Sequence, residues 1–247
     1  MTAEDDDDIQ ALLRCGRAVA EARDTMLAAA VAGVSTAELD DVGREVLTRH
    51  GARSAPQLAY DFPGTTCISV NHDVAHGIPS PAVLLSNGDL VNIDVSAELD
   101  GYWTDTGASV AVGDPDALTQ RLLTATVEAQ AAGMAVARAG KPVRHIGRAV
   151  ERRARRDGFG IIANLCGHGV GRFIHEEPSV PNTVELLNRT VLHEGLVIAI
   201  EPFLTDGATF ATEADDGWTL TTPAGTRVAQ FEHTIVVRDG DPIVVTR

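Results

Sequence analysis

The sequence predicts an α+β fold built from two related halves, and three observations carry the prediction. A pattern of helix, Gly, helix, Gly occurs twice, over residues 9–51 and 114–158. An alternating apolar stretch over residues 91–112 breaks at Asp100-Gly101, a strong hairpin dipeptide. Further short β-rich runs follow the second helix pair, so helices and antiparallel strands share each half.

Taken in order, residues 9–32 are apolar at helical spacing (Leu12, Leu13, Val19, Ala20, Met26, Leu27), and Gly33 stops them. Ser35-Thr36-Ala37-Glu38 is a capping box that starts a second helix, ending near His50-Gly51. Residues 52–79 read as loop and strand, with a Pro63-Gly64 turn and a β-rich run, Cys67-Ile68-Ser69-Val70. Asp114-Pro115 opens a long helix to about Ala139, with Pro115 suited to the first helical position; residues 142–157 form another, stopped by Gly158. Strands are expected around residues 161–165, 196–201, 218–222, 227–233 and 234–237.

The runs Asp41-Val42-Gly43-Arg44-Glu45-Val46 and His145-Ile146-Gly147-Arg148-Ala149-Val150 sit in the second helix of each pair. Their similarity predicts an internal duplication of about 100 residues, with halves of about 9–113 and 114–247 inside one domain. Residues 1–8 are expected to form an acidic, flexible leader.

A chain of 247 residues with 44% hydrophobic content can bury a full core. Its net charge of -15 disfavours nucleic acid or an anionic membrane as the main partner, since a polyanion repels both. Three cysteines, Cys15, Cys67 and Cys166, show no C-x-x-C spacing, so neither a disulfide framework nor a structural zinc site is expected. Glu4 to Asp8 are acidic where a signal peptide would be basic and then apolar, and no run approaches a membrane span. A cytoplasmic protein is the expectation, with a monomer as the default.

In the hairpin, a turn centred on Asp100-Gly101 puts Asp94 diagonally across from Asp105, and a turn one residue earlier puts them directly opposite. Either register leaves both on one face, about 4.5 to 8 Å apart. A three-residue loop would instead place them on opposite faces. Two carboxylates that close on an apolar strand pair repel and are costly to desolvate unless cations sit between them, which points to a metal site.

The second half supplies further candidate ligands. Residues 196–200 form an apolar run that delivers Glu201 ahead of Pro202, and residues 228–231 deliver Glu232. Between these runs and the helices lies Gly167-His168-Gly169-Val170-Gly171, whose glycines let the backbone approach closely around His168, with His175 seven residues on. Four carboxylates and one imidazole suit two divalent ions about 3.5 to 4 Å apart better than one tetrahedral zinc.

These residues together resemble the type I methionine aminopeptidases of the pita-bread fold. The resemblance rests on H-G-I-P at His76 to Pro79, N-I-D-V at Asn92 to Val95, D-T at Asp105-Thr106, G-H-G-x-G and H-E-E-P between Gly167 and Pro178, I-E-P at Ile200 to Pro202, and E-H-T at Glu232 to Thr234. It spans nearly the whole chain, and it implies two pseudo-symmetric halves around a central curved antiparallel sheet with flanking helices.

The resemblance implies that Asp94 chelates one metal, that His168 and Glu201 bind the other, and that Asp105 and Glu232 bridge both. Glu201 would also shuttle the proton, and His76 and His175 would contact the scissile peptide. The methionine pocket would be lined by Phe62, Cys67, Ile174 and Trp218, with Tyr60 near by. The implied cofactors are two divalent ions drawn from Co, Mn, Fe or Zn. The implied substrates are nascent chains met at the ribosome, cleaved after an initiator methionine whose neighbour is small. Ile174 departs from the aromatic residue usual before His175, and the loop before Pro63 is one residue short, with Phe62 in place of Tyr. An X-Pro or broader aminopeptidase and a non-catalytic peptide-binding relative are the competing readings.

Overall fold

A computed structural model describes all 247 residues. The first half runs α1 (Asp6–Ala29), α2 (Thr36–Arg49), β1 (Arg53–Ser54), α3 (Ala55–Tyr60), β2 (Cys67–Val70), β3 (Asp73–Ala75), β4 (Leu90–Leu99) and β5 (Tyr102–Ala111). The second runs α4 (Ala117–Val136), α5 (Arg144–Asp157), β6 (Gly160–Ile161), β7 (Cys166–Gly169), β8 (Glu176–Pro181), β9 (Val197–Ile200), β10 (Phe203–Thr205), β11 (Thr212–Glu213), β12 (Leu220–Thr221), β13 (Val228–Gln230), β14 (His233–Val236) and β15 (Ile243–Val244).

Each half folds a helix pair over an antiparallel sheet. In the first, β4 pairs with β5 along its whole length and with β1 and β2 on its other edge. In the second, the order is β15-β14-β9-β7-β8. Each sheet has its own apolar core: Val91, Ile93 and Val95 under Met26 and Leu39 in one, Ile198 and Ile200 under Leu122 and Ile146 in the other. The matched Gly43 and Gly147 both mark close approaches. A Cβ at Gly43 would lie 2.5 Å from the Met26 sulfur, and one at Gly147 would lie 2.1 Å from the Thr183 carbonyl oxygen.

The capping box at α2 is complete, with Ser35 and Glu38 satisfying each other's backbone amides. Asp100 and Gly101 form the two-residue turn, both with positive φ, so Leu99 pairs with Tyr102 and Asp94 with Gly107. That is the diagonal register for Asp94 and Asp105.

The halves meet along a seam between β5 and residues 230–234. Ala108 bridges Phe231, and the Glu232 amide donates to the Gly107 carbonyl at 2.8 Å. Around it, side chains bond backbone: the Thr106 hydroxyl donates to the Glu232 carbonyl (2.9 Å), the Thr234 hydroxyl donates to the Asp105 carbonyl (2.8 Å), and the Ser109 hydroxyl donates to the Gln230 carbonyl (3.1 Å). These bonds satisfy backbone groups that no regular ladder reaches.

Several expectations are corrected. Residues 1–8 are not a flexible leader. Asp5 caps α1, Thr2 bridges Leu196, and the Met1 ammonium bonds the Glu176 carboxylate and the Val170 carbonyl. Pro115 precedes the N-cap, Asp116, instead of opening the helix. The strand expected over 161–165 is confined to Gly160–Ile161; past Ile162, which still bonds Phe203, the chain turns and the Asn164 side chain bonds the Ala211 backbone. The strands β7 and β8 were hidden in sequence by the glycines and prolines of their motifs.

Candidate metal centre

The site is assembled from positions within β4 and β5 in the first half and, in the second, from β7 and residues just past the ends of β9 and β13. Asp94 on β4 and Asp105 on β5 share one face, close enough for their carboxyl groups to hydrogen-bond. His168 on β7 brings Nε2 to 3.4 Å from Glu201 Oε1 and 3.7 Å from Asp105 Oδ2. Ligand atoms of Asp105, His168 and Glu232 lie within 4.8 Å of one another, all three residues buried. Pro202 ends β9 just after Glu201, and Glu232 falls in the break between β13 and β14, so both carboxylates leave the ladders where they can turn inward.

The electrostatics of the cluster are those of a cation site. Burial pushes Asp94 up to about 6. Asp105 is raised well above the ordinary carboxylate range by burial, then by Glu232 and Asp94; Glu201 is raised by burial, then by Asp105 and Asp94; Glu232 by burial, then by Glu201 and Asp94. Asp105 Oδ1 and Glu232 Oε1 are buried with no hydrogen-bond partner. Orphaned anionic oxygens of this kind are costly unless a cation takes them, so the donor set fits divalent metal ions. His168 is pushed down to about 3 by burial and then by His175, so it is a neutral ligand at neutral pH. Its Nδ1 lies 2.9 Å from the Gly169 carbonyl, which holds the ring proton there and leaves Nε2 free to coordinate.

Above the cluster opens a pocket of about 180 Å³. Of the residues expected at the site, Tyr60, Phe62, Cys67, His76, Asp94, Asp105, His168, Ile174, His175, Glu201 and Trp218 all line it; Glu232, close to Asp105 and His168, is outside the lining. Phe62 and Trp218 meet edge to face at 5.2 Å. His76, held at φ 54, and His175 stand at the pocket mouth. The Tyr60 hydroxyl lies 2.6 Å from His175 Nδ1. A neutral imidazole that accepts there carries its proton on Nε2, and desolvation within the pocket lowers His175 to about 4. Ile174 is buried, and the aromatic contact at this corner comes from its neighbour: Phe173 meets Tyr60 at 6.1 Å and Trp103 at 5.2 Å.

Gln230 and Phe203 are absent from the sequence expectation. Phe203 lines the pocket directly after Glu201-Pro202, a position the motif itself marks. Gln230 is buried and donates from Nε2 to Glu232 Oε2 at 3.0 Å. It occupies the space that Gly107 leaves empty: a Cβ at Gly107 would lie 2.3 Å from Gln230 Oε1. Gly107→Ala is therefore expected to displace Gln230, cost about 1–3 kcal/mol of stability and lower activity by roughly tenfold. Thermal unfolding and steady-state turnover check this, and unchanged turnover would show that Gln230 does not hold Glu232.

A cluster of four carboxylates and one neutral imidazole beside a small pocket in a two-halved α+β fold defines a metal-dependent hydrolase. The chain belongs to metallopeptidase family M24, whose sequence profile matches residues 10–239. It is 46% identical over 248 residues to Methionine aminopeptidase 2 of Bacillus subtilis (strain 168), an alignment covering all of both chains. It superposes on the crystal structure of methionine aminopeptidase from Rickettsia prowazekii with a TM-score of 0.94 at 35% identity, covering all of both chains. On that of methionine aminopeptidase from Thermotoga maritima the TM-score is 0.95 at 29% identity, again over all of both chains. No helix is long and apolar enough to cross a membrane.

Proposed function

We propose that the protein is an aminopeptidase that removes the initiator methionine from nascent chains whose second residue is small, using two divalent ions. The observation that carries this reading is the convergence of Asp105, His168 and Glu232, two of them with orphaned oxygens, with Asp94 and Glu201 beside them at a small pocket. At about 180 Å³ the pocket falls below the roughly 300–1,000 Å³ typical of sites for drug-sized ligands, which favours a single terminal residue over an internal stretch of peptide.

Asp94, Asp105, His168, Glu201 and Glu232 would hold the ions. When bound, divalent ions there supply Lewis acidity, bringing the attacking water toward neutral pKa and polarising the scissile carbonyl. Glu201 takes the proton of the attacking water and returns it to the leaving amine, a task suited to a carboxylate whose proton affinity burial has raised. His76 and His175 donate to the oxygen of the tetrahedral intermediate, with Tyr60 fixing the ring of His175. Phe62 and Trp218 form an aromatic corner, and with Cys67 and Ile174 they offer polarisable, apolar surface to a thioether.

Cobalt, manganese, iron and zinc all accept this donor set. The net charge of -15 weighs against nucleic acid or an anionic membrane as the partner, and nascent peptides are the partner this reading requires. The reading is tested with Met-Ala, Met-Lys, Leu-Ala and Ala-Pro peptides and metal-loaded protein. Met-Ala is expected to be cleaved at least about a hundredfold faster than the others. Cleavage of Ala-Pro without Met-Ala would replace this reading with an X-Pro peptidase.

A further inference from the structure

Arg23 is the one buried lysine or arginine in the protein, 8% exposed. It enters from α1, outside the pocket lining, and two of its contacts lead to the metal centre. Nη1 donates to the Thr106 hydroxyl at 2.5 Å and to the Thr246 carbonyl at 3.3 Å, while Nε donates to Asp24. The first route is short: the Thr106 hydroxyl, next in sequence to Asp105, donates to the carbonyl of Glu232 at 2.9 Å. The second runs through Thr246, whose hydroxyl accepts from the Thr234 amide at 3.1 Å and lies 3.0 Å from His233 Nδ1. The Thr234 hydroxyl then accepts from the Asp105 amide (2.9 Å) and donates to its carbonyl (2.8 Å).

One guanidinium therefore fastens Thr106, beside Asp105, and Thr246, whose hydroxyl meets the two residues that follow Glu232. Its charge is matched by Asp24, its sole ion-pair partner, and no ion pair joins it to Asp94, Asp105, Glu201 or Glu232. Both seam bonds come from one nitrogen, Nη1, while Nε and Nη2 face Asp24, so the planar group fixes where Nη1 sits; the guanidinium charge also favours the ionised Glu232 carboxylate.

We propose that Arg23 is a positioning residue of the metal centre. It holds the Asp105 and Glu232 strands in fixed register across the seam, through Thr106 and Thr246, and so sets the spacing of the two carboxylates that the ions would share. The proposal rests on the reading of those carboxylates as metal ligands.

The test is Co²⁺ titration of chelator-stripped, full-length protein, followed by calorimetry and by the visible d–d absorption of the bound ion, with wild type, Arg23→Gln and Arg23→Lys. Lysine keeps the charge and loses the fork. Both variants are expected to bind Co²⁺ about tenfold or more weakly, in the range for outer-shell partners of metal ligands, and to show an altered d–d band. In both, kcat for Met-Ala-Ser falls while KM moves less than about twofold. Thr106→Val, which removes only the relaying hydroxyl, is expected to weaken Co²⁺ binding in the same direction, and it decides the matter if neither Arg23 variant folds. Wild-type affinity and spectrum in all folded variants would overturn the proposal. So would an Arg23→Lys protein that matches wild type while Arg23→Gln does not, since charge and not the fork would then be at work. Wild-type protein that takes up no Co²⁺ would instead overturn the metal reading on which the proposal stands.

Discussion

Asp105→Asn is expected to abolish peptide hydrolysis, lowering kcat on the order of a thousandfold, equivalent to about 4 kcal/mol of transition-state stabilisation. Asp105 is the hub of the cluster. It is in hydrogen-bonding reach of Asp94, lies 3.7 Å from His168 Nε2, and raises the proton affinity of Glu201. An amide is nearly isosteric but cannot neutralise a cation or share one between two sites. The same substitution removes one of four mutually repelling buried carboxylates, so in metal-free protein it is expected to raise the melting temperature. Loss of activity with a gain in metal-free stability is a signature that a purely structural aspartate would not give. Circular dichroism melts in chelator, beside turnover in added metal, read both; a variant that keeps activity, or that melts lower than wild type in chelator, would contradict the assignment.

The second large effect is on the metal-free protein itself, whose stability is expected to fall as pH rises above about 6.5. Asp94, raised to about 6, and Asp105, Glu201 and Glu232, raised well above the carboxylate range, bind protons more tightly folded than unfolded. Each contributes stability that is present below the unfolded pKa of about 4 and is lost as pH rises through the folded value. The histidines run the other way. His168, His175 and His233, lowered to about 3, 4 and 4, favour the neutral form when folded, so their stabilisation is lost as pH falls from about 6.5 through those values. Between about 4 and 6.5 the two sets oppose each other; above 6.5 the histidine contribution is complete and the carboxylates act alone. Saturating Mn²⁺ or Co²⁺ is expected to remove the alkaline decline and raise the melting temperature, because ions that bind only the folded state stabilise it by mass action. Melting curves at pH 6.5, 7.5 and 8.5 with and without metal test this, and a metal-free protein that becomes more stable across that range would sink the electrostatic picture.

Legibility in the sequence followed the range of the interaction. Asp100-Gly101 marked its hairpin because a two-residue turn with positive φ is a local property, but the register of Asp94 against Asp105 stayed open between alternatives until the structure gave the diagonal one. Glu201 and Glu232 stood out because each interrupts an apolar run at a strand end. The features that were not legible join distant segments through single side chains. Gln230 bears on Glu232 and Gly107, Thr234 on Asp105, and Arg23 on Thr106 and Thr246, with no periodicity to announce any of them. The acidic start of the chain misled for a related reason. Its composition reads as solvated, yet Met1 and Thr2 are held by Glu176, Val170 and Leu196 from the far half. Ile174 likewise occupies the place of an aromatic residue while Phe173 supplies the aromatic contact with Tyr60, a substitution of neighbours visible only once the corner is built.

The most direct test of the central claim is release of methionine from Met-Ala-Ser by chelator-stripped protein titrated with Mn²⁺ or Co²⁺, with Leu-Ala-Ser as control. Activity is expected to be absent without metal, to appear as ions are added, and to be confined to the methionine peptide. Metal-independent release, or no release from either peptide at saturating metal, would contradict it.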